Sequence, residues 1–223
     1  MSAQREAILG RVRAALGKRG RDAKAIAAAQ AVIAAHAQGP RPQLPADLVL
    51  RFLQRATDMQ STVERLDDRR EIPTAVVRYL DSLSLPEALA AQKSSRGVCW
   101  PEFGDLDWKG AGLDIDARPT TGDDRLGITG AFCAIAETGT LLVVSGADTP
   151  TATTLLPDTH IAVVSAERIV AGMEDAFDLI RRELGRLPRA VNMISGPSRT
   201  GDIEQTIVLG AHGPYRVHIL VLP

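Results

Sequence analysis

The chain has 223 residues, 45% hydrophobic and 24% charged, with a formal net charge of −1. Such a composition is that of a globular protein with a sizeable core, and the near-zero charge gives no electrostatic case for nucleic acid or an anionic membrane. Two cysteines, Cys99 and Cys133, are too few for an iron–sulfur cluster, which takes four thiolates, and they read as free thiols suited to a reducing cytoplasm.

In chain order, residues 1–44 predict a helical arm and linker. Ile8, Leu9, Val12, Ala15 and Leu16 recur at helical spacing behind Ser2, a candidate N-cap. Gly17 to Gly20 interrupts the pattern, and Asp22 is placed to cap a second, Ala-rich helix running to Ala37. Gly39-Pro40-Arg41-Pro42 then begins a stiff linker. The thin apolar stripe of these helices suits either docking on a partner or a loosely attached arm. No segment has the apolar n-terminal run of a signal peptide or the roughly 20 apolar residues of a membrane span.

From residue 45 to 223 the pattern is that of one α/β domain. A third helix carries Leu48, Phe52, Leu53, Ala56 and Met59. Strands are expected at Thr62–Leu66 and Gly97–Trp100, with a helix at Ile72–Leu83 between them. Leu126-Gly127-Ile128-Thr129 is expected to lead into a short helix, Ala131–Glu137, capped by Thr129. Thr140–Ser145 and His160–Val164 read as buried strands, apolar on both faces. A helix with Met173, Phe177, Ile180 and Leu184 on one face precedes strands at Ala190–Ile194 and Arg216–Leu222. Alternation of this kind predicts a mostly parallel sheet covered on both faces, with ligands outside the carboxyl ends of its strands.

Three segments place polar residues and glycines between apolar strands. In Ser195-Gly196-Pro197-Ser198-Arg199-Thr200-Gly201-Asp202-Ile203-Glu204, a small-residue loop with an Arg is expected to open a helix at a strand's carboxyl end. A helix N-terminus offers unpaired N–H groups to an anion, and a guanidinium adds a fork of donors. Gly196, Ser198, Arg199 and Thr200 are candidate anion-binding residues, joined by Asp202 and Glu204, which could instead complement the helix terminus. An ion pair between Arg199 and Glu137 is a further possibility that needs no ligand. In Glu137-Thr138-Gly139-Thr140, Glu137 is a candidate base, nucleophile or acceptor, with Thr138 and Gly139 beside it. The alternative is a water-facing Glu137 at a helix end that Gly139 caps. His212, in Gly210-Ala211-His212-Gly213-Pro214, is placed to titrate in a site or to serve as a turn residue. No His, Cys, Asp and Glu set has metal-ligand spacing, and His36, His160 and His218 read as structural.

Taken together, Gly127-Ile128-Thr129, Ala134-Ile135-Ala136-Glu137-Thr138-Gly139-Thr140, Leu156-Pro157, the Ser195–Glu204 segment and His212-Gly213-Pro214 resemble the LUD-domain family, specifically its lactate utilization protein C (LutC/YkgG) group. Gly201 stands where that family is expected to have Ala. The resemblance implies a three-layer α/β/α fold related to sugar-phosphate isomerases, CoA transferases and formyltetrahydrofolate cyclo-ligases. It also implies a cytoplasmic, cluster-free subunit of a system oxidising L-lactate to pyruvate, with iron–sulfur clusters in partner subunits. In that role Glu137 and His212 would be catalytic and the remaining candidates would hold a small carboxylate or other anion. A stand-alone enzyme acting on an acyl-CoA, a folate or a sugar phosphate, and a non-catalytic assembly factor, are the competing expectations.

Overall fold

The computed structural model describes residues 3–17, 22–83, 95–203 and 206–223, which fall into two compact units, Met1–Pro42 and Gln43–Pro223. The first holds helices α1 (Ala3–Ala15) and α2 (Ala23–Ala35). Asp22 caps α2, its carboxylate accepting from the N–H groups of Lys24 and Ala25. Neither helix buries a side chain. Ser2 lies outside the described residues.

The second unit is built on six parallel strands. They are β1 (Thr62–Arg65), β2 (Arg96–Cys99), β3 (Asp114–Ala117), β4 (Leu126–Gly130), β7 (Thr159–Ser165) and β12 (Arg216–Leu222), in the spatial order β1-β12-β7-β4-β2-β3. A smaller sheet, β8-β5-β6-β9, is formed by β5 (Cys133–Ile135), β6 (Thr140–Val144), β8 (Ile169–Val170) and β9 (Val191–Ile194). The expected α/β architecture, a mostly parallel sheet with flanking helices, is what the chain forms. The second sheet is an addition to it.

Alternation along the strands assigns the layers. Ile161, Val163 and Leu220 face α4 (Ile72–Ser82), which presents Ile72, Val76 and Leu80. Ala162, Val164, Ile219 and Val221 face the other way, onto Phe52 and Ala56 of α3 (Leu48–Asp58) and onto Ala134 and Leu141 of the small sheet. That sheet's outer face, with Cys133, Ile135 and Leu142, is covered by Ala176 and Ile180 of α5 (Met173–Leu184). Burial of β6 on both faces follows from this position.

Two sequence expectations are corrected. Residues Ala131–Glu137 are not a helix. Thr129 continues β4, and Cys133–Ile135 pairs antiparallel with β6, so Ala136 to Gly139 is a hairpin turn. The alanines favour a helix, but packing between two layers rewards the alternation of Cys133 and Ile135. The segment after Ser198 also opens no helix. It forms a hairpin of β10 (Arg199–Ile203) and β11 (Thr206–Leu209). Gly201 disfavours a helix, and Thr200, Ile203, Thr206, Ile207 and Val208 are β-branched.

Candidate functional site

The site is assembled at the end of α3. Asp47 caps this helix by accepting from Leu50 N at 2.8 Å, and Phe52 and Ala56 anchor it in the core. Its last turn leads through Met59 and Gln60 into β1, so it ends at the amino edge of the parallel sheet. Gly139 sits in the left-handed region at φ +69°, and a Cβ there would strike the backbone of Arg55 and Ala56. Gly196, at φ +88°, meets the Met59 carbonyl in the same way. Helix rise is about 1.5 Å per residue, so the two contact points are about 5 Å apart along the axis. Two glycines thus bring the Glu137 turn and the Ser195 loop onto one turn of helix, where any larger side chain would hold them away.

The third segment arrives from β12. Ser198 N donates to Pro214 O at 2.9 Å, and Gly210 N donates to Ser198 O at 2.9 Å. Gly213 packs beside the Ser198 side chain, and His212 next to it is exposed. Hydroxyl groups stitch the first two segments together. Thr138 Oγ1 lies 2.7 Å from Thr140 Oγ1, which lies 2.7 Å from Ser195 Oγ.

Arg199 is exposed, and its Nη2 donates to Met59 O at 3.0 Å. A guanidinium there satisfies a terminal helix carbonyl and complements the negative end of the helix dipole. No ion pair joins it to Glu137 among the described residues, so that possibility is not realised. Glu137 is half-buried; its backbone N–H donates to Ala171 O at 3.0 Å, and its carboxylate has no partner among the described residues. Two further cations stand on α3. Arg51 Nε and Arg55 Nε are buried without hydrogen-bond partners, while Arg55 Nη1 reaches Asp58 at 2.8 Å.

The candidates therefore divide. The segments bearing Glu137, Thr138, Gly139, Gly196, Ser198, Arg199 and His212 converge on the end of α3 or on one another. Thr200 is half-buried in β10, the backbone of Asp202 continues that strand, and Glu204 lies outside the described residues. Convergence occurs at the amino edge of the parallel sheet. The carboxyl-edge placement expected from the sequence is incorrect, because β9 belongs to the small sheet and residues 210–215 enter β12 from its amino end. Sequence reading missed the role of α3. The signal was available in two glycines that have to lie against another backbone.

The histidines in strands are structural, as expected. His160 is fully buried, 2.8 Å from Thr129 Oγ1, and burial pushes its pKa down to about 4. His218 stacks on Tyr79 with ring centroids 4.1 Å apart and lies 2.8 Å from Thr62 Oγ1; burial lowers it to about 4 as well, against the opposing pull of Glu64. Asp124 is held by Arg118 at 2.8 and 3.0 Å and by Thr120 Oγ1 at 2.9 Å, and these bonds lower its pKa. Among the described residues no group of three or more His, Cys, Asp or Glu could hold a metal ion, and no helix is long and apolar enough to cross a membrane.

A family model described as the LUD domain matches residues 105–222. Lactate utilization protein C of Bacillus subtilis is 40% identical over 101 residues, which are 44% of this chain and 42% of that protein. The Bacillus licheniformis protein of the same name is 31% identical over 127 residues, 55% and 53% of the two chains, so the match spans about half the length of these relatives. Lactate utilization protein C of Deinococcus radiodurans is 33% identical over 193 residues, covering 82% of this chain and 89% of that protein. The crystal structure of a DUF162 family protein from Deinococcus radiodurans superposes with a TM-score of 0.57 at 23% identity, covering 82% of this chain and 100% of that one, which establishes the shared fold. Extent and identity together place this chain in the LUD-domain family, in its lactate utilization protein C group.

Proposed function

We propose that this chain is the cluster-free subunit of an iron–sulfur-dependent system that oxidises L-lactate to pyruvate. The observation that carries the reading is that the Glu137 turn and the Gly196–Arg199 segment pack on the end of α3 while the His212 turn is bonded to Ser198 of that segment. Arg199 has a planar fork that suits a small carboxylate, and the buried, unpartnered Nε groups of Arg51 and Arg55 add positive charge on the same helix. Glu137, with a free carboxylate, and His212, exposed beside Ser198, are the groups within this cluster that can accept the two protons released, one from the hydroxyl and one from C2. Clusters in partner subunits would accept the two electrons; the thiols of this chain, Cys99 and Cys133, are buried and free.

The test is co-expression with the proteins of its neighbouring genes, purification through a tag on this chain, and assay of L-lactate-dependent dye reduction. A brown complex whose activity needs this subunit is expected. Arg199→Ala should then lower dye reduction by about a hundredfold, the scale of a lost charge-assisted carboxylate grip. A colourless chain that purifies alone, or an Arg199→Ala complex with full activity, would overturn the assignment or its pocket respectively.

A further inference from the structure

The opposite edge of the parallel sheet holds a cavity that shares no lining residue with the site above. The chain leaving β2 turns outward to β3, whereas the chain leaving β4 passes through β5 and β6 to β7 on the other side. Connections that diverge from neighbouring strands leave a crevice between their carboxyl ends, the usual ligand position in open α/β sheets. A cavity of about 180 Å³ lies there, lined by Trp100 after β2, Gly130, Ala131 and Phe132 at and after the end of β4, and Glu102 and Thr149. That is the liquid volume of about six waters, too small for a drug-sized molecule but enough for a small metabolite or the head of a longer one.

Most polar groups around this cavity are already engaged. Trp100 Nε1 donates to Pro150 O at 3.2 Å and Thr149 Oγ1 to Val144 O at 2.8 Å. The N–H groups of Ala131 and Phe132 donate to Val163 O and Leu142 O. The carboxylate of Glu102 is different. It lies so close over Gly130 that a Cβ at that position would collide with it, and it receives a hydrogen bond from the Gly130 backbone. Among the described residues it has no ion pair. The two guanidiniums nearby pair with other carboxylates, Arg69 with Asp105 at 2.6 and 3.0 Å and Arg168 with Glu183 at 2.6 and 3.0 Å, while Arg69 also donates to the Glu102 backbone carbonyl and Arg168 donates to Phe132 O at 2.8 Å from over the Phe132 ring. Burial raises the Glu102 pKa above its ordinary value, against the pull of Arg69. Glu102 is an exposed residue that lines the cavity, and its carboxylate, with one backbone donor and no ion pair among the described residues, keeps acceptor capacity that a cation can fill.

We propose that this carboxyl-edge cavity binds a small organic cation, a protonated amine on a compact apolar or aromatic body, with Glu102 as the counter-ion and Trp100 and Phe132 as apolar walls. A small carboxylate is excluded by the same chemistry, because it would meet Glu102 with no uncommitted cation in the lining. Glu102 keeps its charge only above its pKa, so binding weakens as pH falls towards that value.

Benzylamine, benzyl alcohol and benzoate are near-isosteric probes of this assignment, read by titration calorimetry and ligand-observed NMR on the full chain. Saturable one-to-one binding of benzylamine is expected, weaker binding of the alcohol, and none of benzoate. Glu102→Gln, which keeps the shape of the side chain, should weaken benzylamine at least about tenfold, the share of a charge-assisted hydrogen bond, and leave the alcohol unchanged. Benzoate binding as well as the amine, benzylamine binding undiminished in the variant, or no saturable binding of benzylamine up to about 10 mM would each overturn it. The readout is binding to this chain alone, so it stands or falls separately from the lactate assay.

Discussion

At its amino edge the parallel sheet is finished by backbone laid on backbone, with Gly139 and Gly196 against the last turn of α3, and the candidate groups stand on the rims of these contacts. At its carboxyl edge a crevice beyond the ends of β2 and β4 is left open above Gly130, with one carboxylate leaning over it. The first region is fixed by close approach and carries both signs of charge on its surface; the second is shaped by apolar walls and carries one carboxylate with no ion pair among the described residues. Similar glycines serve opposite purposes in the two places. At the amino edge they admit a neighbouring element, and at Gly130 the missing side chain leaves room for the Glu102 carboxylate.

Acid is the strongest way to break the amino side of this comparison. His160 and His218 each titrate near 4 when folded and near 6.5 when unfolded, so the unfolded chain takes up protons that the folded chain refuses. Their contribution is whole above pH 6.5 and is lost as pH falls towards 4, by about 3 kcal/mol for each ring. Urea unfolding at pH 7 and pH 4.5 measures it; equal stability at the two values would contradict the burial assigned to both rings. Next in size is Gly196→Ala, which combines an unfavourable φ with a clash on the Met59 carbonyl and should cost about 3 kcal/mol. Gly213→Ala is the control, because its Cβ would stand 3.2 Å from Ser198 Cβ at an ordinary φ, and its midpoint should move much less. Smallest is Ser195→Ala, which removes one end of the Thr138–Thr140–Ser195 hydroxyl chain at a cost of about 1 kcal/mol. A loss of several kcal/mol there would mean that the hydroxyl chain, rather than the glycine contacts, holds the turn and the loop together.

Strong apolar runs carried their own assignment. Thr140–Val144, Thr159–Ser165 and Arg216–Leu222 are strands because both faces are covered, and that shows as unbroken Leu, Val and Ile in the sequence. Short segments did not announce themselves. Ala131–Glu137 is rich in helix-favouring residues, and the layers on either side of it decide the matter. For Arg199–Leu209 the β-branched residues were visible, but the loop before them looked like a helix entry. Of the site, the three segments were legible as interruptions in apolar sequence. Their meeting point was not, since it depends on which sheet β9 joins. Nothing about Glu102 in the sequence marks it out; its interest arises from Gly130, which is 28 positions away in the numbering but lies beneath it in space.

The place of β12 has a consequence for how this molecule comes into being. Thr62 is matched to His218, a partner 156 residues further on, and β12 also supplies the neighbour of β7. A ribosome releasing this chain from its amino end can therefore join β1 to the other strands of the large sheet only after residues 216–222 emerge, and until then the edge of β7 stands uncovered. Pairings of such long range close slowly and leave strand edges uncovered meanwhile. Synthesis of this protein should accordingly lean on chaperones that shield β1 and β7, and shortening the chain by its last strand should yield an aggregating product rather than a smaller stable domain.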